Sequence, residues 1–328
     1  MDSLAAAFAR LAPGRRVHGI SATLLPYTPD GRIDWPAFEA HVARTAAAGL
    51  DVAVNMDTGF GDLLTDAERL AVLDATRGAL GAGVPFYAGA FAGDGELVAG
   101  YHAAMAAIAA RGGVPVVVQH RAMHGLDPAA LAALYARIAA GADRALAFEL
   151  GPMFAPHGAI WDDATFERLL DREPLAGAKH SSLDRATELR RLAARDRRRP
   201  GFRVYTGNDL AIDMVAYGSD YLLGLSTFAP AAFAARDRAL ADGDVAFLAS
   251  NDALQHLGNV AFRAPVPAYK HSAALFLQIS GLLANDAIHP RAARRPASDR
   301  VLLLDCAVRL GLVADAARAY RQYVEPFL

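Results

Sequence analysis

At 328 residues, with 54% hydrophobic and 21% charged side chains, the chain can bury a sizeable core, which excludes a disordered polymer. Lys and Arg number 33 against 35 Asp and Glu, a net charge of −2, so no electrostatic pull towards nucleic acid or an anionic membrane is expected. Cys306 is the only cysteine, which excludes an intrachain disulfide and fits a reducing, cytoplasmic setting.

The first residues, "MDSLAAAFARLAPGRR", lack an early basic region, and Arg10 interrupts their apolar run, so they do not read as a signal peptide. Short β-rich runs then alternate with longer Ala/Leu/Arg runs of helical spacing. The strand runs are 17–25, 51–56, 84–90, 114–120, 144–150, 174–179, 202–207 and 220–225, with ends recurring about every 30 residues until a shorter last interval. Between them, Thr65 followed by Glu68 has the pattern of a capping box, and Asp127 before Pro128 is a helix start. The arginine-rich run 190–200 reads as a solvated helix end.

Eight strand–helix units point to an α/β fold, a (β/α)8 TIM barrel with a helical C-terminal extension. The alternative, an open doubly wound sheet, lacks support, because no GxGxxG or GxxxxGK[ST] follows any strand. The barrel is expected over 1–242 and the extension over 243–328, with helices near 230–242, 244–258, 270–284, 298–311 and 313–325. The apolar stretch 272–284 is too short to span a bilayer and is broken by Gln278 and Gly281, so a buried helix is expected there.

In a β/α barrel the strand C-termini and the following loops build the active-site face. That rule gathers Asp57, Thr58 and Gly59 after strand two, and His120 after strand four. Glu149 follows from strand five, Lys179 and His180 from strand six, and Tyr205, Gly207, Asn208 and Asp209 from strand seven. Lys179 is the sharpest of these, because the chain contains only two lysines, Lys179 and Lys270. A lysine that loses hydration at a strand end has a lowered pKa, and its neutral amine can attack a ketone or aldehyde to form an imine. Arginine cannot do this. The plainer reading is a structural lysine paired with Asp57, Glu149 or Asp209. Lys270 is expected at the surface, and His18, His102 and His271 as structural or surface residues.

These landmarks, "SATLLPYTPDGRIDW", "DTGFGDLLTDAER", "GAKHSS" and "YTGNDLAIDMVAYGSDYLLGLSTFAP", resemble in order the dihydrodipicolinate synthase/N-acetylneuraminate lyase family of class I aldolases, from residue 19 to about 240. The resemblance implies a barrel with a helical C-terminal region, a Schiff-base lysine at Lys179, no cofactor beyond the covalent substrate imine, and a homodimer or homotetramer. A closer likeness, through Met56–Thr58, Met153–Pro156 and Tyr205–Asp209, is to a poorly characterised branch of that superfamily.

The departures from the family are specific. Asp57 replaces the first threonine of a pair that helps hold the carboxylate of pyruvate, and it would repel another carboxylate unless one is protonated or bridged by a cation. Phe148 stands where the family has its proton-shuttling tyrosine, and Glu149 follows in place of asparagine, where strand alternation would turn it to the other side. His180 replaces an acid. Lys179 is therefore expected to be the nucleophile, with Asp57 and either His120 or Tyr205 as acid/base. The reaction would be aldol cleavage or dehydration of a small keto acid or keto-sugar-like substrate. Two alternatives stand beside it: a divalent-metal enzyme using Asp57, His120, Glu149, His180 and Asp209, and a non-catalytic barrel that binds a small metabolite.

Overall fold

The computed structural model describes residues 4–93, 95–155 and 157–328. Eight short strands, β1 (Gly19–Ala22), β2 (Asp51–Val54), β3 (Phe86–Ala90), β4 (Gly113–Val117), β5 (Ala145–Phe148), β6 (Leu175–His180), β7 (Arg203–Thr206) and β8 (Asp220–Leu223), fall within or at the edges of the eight runs. All pair in parallel with their sequence neighbours, and β8 returns to β1 to close the barrel.

The helices are α1 (Leu4–Phe8), α2 (Trp35–Ala47), α3 (Asp66–Leu80), α4 (Leu97–Ala109), α5 (Pro128–Ala139), α6 (Asp163–Leu170), α7 (Arg185–Arg198), α8 (Pro230–Asp242), α9 (Ala246–Ala261), α10 (Tyr269–Ile279), α11 (Asp299–Arg309) and α12 (Ala316–Tyr323). Their starts follow local chemistry. Thr65 Oγ1 accepts the Glu68 N–H while Glu68 Oε2 accepts the Thr65 N–H, a complete capping box on α3. Asp127 caps α5 by accepting the Ala129 and Ala130 N–H groups at 2.9 Å. One unit departs from the eightfold expectation. Between β7 and β8 the chain makes only a 3₁₀ turn, Ile212–Tyr217, which Gly218 ends at φ 111°. The short last interval has no room for a full helix.

Strand alternation divides the core in two. Inward side chains such as Ile20, Ala53, Val116, Leu146, Phe148 and Leu222 fill the barrel, while Val52, Val54, Ala145 and Ala147 pack outward against the helices. The N-terminal end of the barrel is plugged by ion pairs: Arg15 and Arg203 on Asp220 at 2.9 and 2.6 Å, and His18 on Asp51 at 2.7 Å.

Helices α9 to α12 follow the barrel. Every residue of α10 except Gln278 is buried, the apolar ones in the core and Lys270, His271 and Ser272 through polar partners. It stops at Ile279, short of the expected 284, because Gly281 takes a left-handed conformation (φ 71°) just beyond it. Among the described residues no helix is long and apolar enough to cross a membrane. The arginine run is not uniformly solvated as expected. Arg190, Arg197 and Arg198 are exposed, but Arg191 is 1% exposed and points into the protein.

Candidate active site

Lys179 is the fifth residue of β6, and its orientation follows from register. It pairs with Phe148 of β5 and Tyr205 of β7, both inward-facing, so its side chain enters the barrel. Its Nζ lies 4.5 Å from the Phe148 ring centroid, and the residue is 8% exposed. Burial pushes the amine below its ordinary range, against the opposing pull of the Asp209 and Asp57 carboxylates. Gly207 leaves room for the lysine stem, since a Cβ there would lie 2.6 Å from Lys179 Cε.

The loop after β2 brings Asp57, Thr58 and Gly59 to the same place. They form one 3₁₀ turn that Phe60 closes with a left-handed backbone (φ 59°), a strained conformation for a bulky residue. The turn after β7 brings Asp209. Asn208 is buried, and its Oδ1 accepts the Leu210 N–H at 3.0 Å, so it shapes that turn. Asp209 Oδ1 accepts the Leu225 N–H at 2.7 Å, and burial pushes its carboxyl up to about 7 in spite of that bond and of Lys179 nearby. Lys179, Asp57, Thr58 and Asp209, with the glycines beside them, form one constellation.

Two residues that the sequence reading left outside this site complete it. Lys270 is not at the surface; it is 6% exposed, and its Nζ donates to Asp57 Oδ1 at 2.7 Å. Tyr269 donates from its hydroxyl to Asp57 Oδ2 at 2.7 Å and meets Thr58 Oγ1 at 2.8 Å. Both stand at the start of α10. The charge conflict expected at Asp57 is thus met by a cation from the chain itself. The scarcity of lysine that singled out Lys179 applied equally to Lys270, and was the one available signal for it.

Three expected site residues lie elsewhere. Glu149 alternates outward from β5, and His180 outward from β6, so both sit between the barrel wall and α7. The buried Glu149 carboxylate takes an ion pair from Arg191, the His180 ring at 2.7 Å, and the Trp161 and Ser181 N–H groups at 2.8 and 3.3 Å. Burial alone would raise its pKa, but Arg191 and His180 outweigh it and hold the carboxyl below the usual range. This is a brace behind β5 and β6, on the side of β6 away from Lys179. Tyr205 points inward but away from the mouth. Because the strands are staggered, it registers with Asp220, the first residue of β8, and its hydroxyl meets His18 Nδ1 at 2.9 Å. That places the phenol in the plug at the N-terminal end.

His120 starts the short turn after β4, where its Nδ1 accepts the Ala122 N–H at 3.1 Å. The proposed metal ligands are therefore divided, Glu149 and His180 behind the wall and Asp57 and Asp209 at the mouth. Among the described residues no group of three or more His, Cys, Asp or Glu is arranged to hold a metal ion. Of the Met153–Pro156 element, Pro156 lies outside the described residues.

Comparison with solved structures places this geometry on a known frame. A prophage protein of the dihydrodipicolinic acid synthase family from E. coli K12, in complex with pyruvate, superposes with a TM-score of 0.79 at 19% identity, covering 90% of this chain and 99% of that one. A dihydrodipicolinate synthase from Acinetobacter baumannii, complexed with pyruvate, gives 0.76 at 19% identity over 91% and 100%. The dihydrodipicolinate synthase of Thermotoga maritima gives 0.77 at 17% over 91% and 100%. At these identities the likeness shows the fold. No curated protein matches the sequence. The family described as "Protein of unknown function (DUF993)" matches residues 7–327. The chain belongs to that family, a divergent branch built on the dihydrodipicolinate synthase fold.

Proposed function

We propose that the chain is a lyase that forms an imine between Lys179 and a small keto acid or keto-sugar-like substrate. The observation that carries this reading is a buried lysine amine near the C-terminal end of β6, lying on an aromatic face within electrostatic reach of two carboxylates. Desolvation shifts the amine towards its neutral, nucleophilic form. Its lone pair attacks the carbonyl carbon, and the carbonyl oxygen gains two protons and leaves as water. The resulting iminium draws electrons from the adjacent bond. Either a carbon–carbon bond breaks to release an aldehyde, or a β-hydroxyl leaves as water.

Asp209 is suited to the proton traffic of imine formation, because a carboxyl held near 7 can both give and take a proton at neutral pH. Asp57 faces the same space with its charge matched by Lys270. Two structures with this fold hold pyruvate, so pyruvate belongs among the test compounds. The test is borohydride reduction in the presence of pyruvate, other keto acids and keto sugars, with mass analysis of the peptide carrying Lys179. A reduced adduct on that residue, absent in Lys179→Arg, is expected. An unmodified Lys179 across the whole panel would refute the imine.

A further inference from the structure

The imine reaction needs a group that moves a proton to or from the substrate atom beside the imine carbon. The ring over which the Lys179 amine lies belongs to Phe148, which has no proton to give. Tyr205 is committed to His18 at the opposite end of the barrel. We propose that Tyr269 is the catalytic proton carrier of the site, with Asp57 and Lys270 as positioning residues that hold and recharge it. This rests on the imine reading of Lys179.

The contacts form one chain. Lys270 Nζ donates to Asp57 Oδ1 at 2.7 Å, and Tyr269 donates to Asp57 Oδ2 at 2.7 Å. Since the phenol proton is on Asp57, the Thr58 hydroxyl at 2.8 Å is the donor to the phenol oxygen. The ring is held rigidly for this task. It stacks on Phe262 at 4.4 Å and meets Phe154 edge-on at 6.4 Å. Gly224 lets it approach, since a Cβ there would come within 2.9 Å of the ring. Such a fixed ring needs little reorganisation when the proton moves. Phe154, which the ring meets, packs on the inner cluster that contains Phe148, and the Lys179 amine lies over Phe148, so the relay and the amine share one mouth.

The proposed step balances in protons and charge. When the enamine returns to the iminium, its carbon forms a bond to the phenol proton of Tyr269. Lys270 then protonates the Asp57 carboxylate, and the carboxylic acid so formed returns a proton to the phenolate oxygen, leaving Asp57 ionised and Lys270 neutral. The carbon–carbon double bond becomes a single bond as the carbon–nitrogen bond becomes double. One positive charge leaves Lys270 and one appears on the imine nitrogen. The reverse sequence removes the proton from carbon.

The test uses the full chain in D2O with pyruvate and dihydroxyacetone as probes. NMR follows exchange of the protons beside the carbonyl, and borohydride trapping on Lys179 is measured in parallel. Tyr269→Phe should keep trapping within about twofold while exchange falls about 100-fold or more. Retained trapping also shows that the variant folds. Lys270→Arg keeps a cation against Asp57 but cannot release its proton, so its exchange should fall as in Tyr269→Phe while trapping on Lys179 persists. Trapping with undiminished exchange in Tyr269→Phe overturns the Tyr269 proposal alone. Full rescue by Lys270→Arg overturns the recharging role. Absence of any adduct in the unmodified chain sinks the Lys179 reading, and Tyr269 falls with it.

Discussion

Asp209→Asn isolates one buried ionisation. The carboxyl is pushed from 3.8 to about 7 chiefly by burial, while in the unfolded chain it ionises in its ordinary range. Between about pH 4 and pH 7 the folded protein therefore holds a proton that the unfolded chain has released. Folding is then linked to proton uptake, so the stability of the unmodified chain falls as pH rises through that window. A shift of about three units corresponds to roughly 4 kcal/mol, more than half of it developing between pH 5 and pH 8. Asparagine keeps an oxygen for the Leu225 N–H and has no proton to lose. Urea unfolding of both proteins across pH 4 to 8 should show Asp209→Asn gaining steadily on the unmodified chain as pH rises. A stability difference that stays constant over that range refutes the raised ionisation, and with it the case for Asp209 as a neutral-pH proton carrier.

Arg191→Met should cost about 3–5 kcal/mol in chemical denaturation, because it leaves the fully buried Glu149 carboxylate without its guanidinium; a loss below about 1 kcal/mol would show that the brace behind β6 is not ionic. Gly207→Ala should lower imine trapping at Lys179 by at least about tenfold, because its Cβ meets the lysine stem and the His180 carbonyl oxygen; normal trapping would mean that the lysine has another path into the mouth. Thr65→Ala should lower stability by about 1 kcal/mol in thermal or urea melts through loss of the α3 cap, with trapping untouched.

The barrel was legible because its elements are local. Each strand is a short β-rich run, each is bounded by turn chemistry, and their spacing repeats. Lys179 followed from a rule about strand ends together with an oddity of composition. Glu149 and His180 were placed wrongly by the strand-end rule alone. Alternation from inward Phe148 and Lys179 turns both outward. Tyr205 was misplaced for a different reason. Barrel stagger sets it level with the first residue of β8, and no single run of sequence encodes stagger. Lys270 was hidden by distance, since its partner Asp57 lies 213 residues away in the chain and nothing near "PAYKHS" points back to it. The missing helix between β7 and β8 was visible only as a short interval.

The reach of α10 back to the loop after β2 also bears on the order in which the candidate site is assembled. Tyr269 and Lys270 follow all eight strands in the chain, so the Asp57 and Thr58 side chains gain their hydrogen bonds from α10 only once that helix has docked. The part of the chain that follows the barrel thus supplies side chains to the barrel's mouth. The same arrangement creates a point of vulnerability. Residues 263–265 form an exposed connection between α9 and α10, where a proteolytic cut would sever α10 from the barrel in sequence while leaving every strand intact.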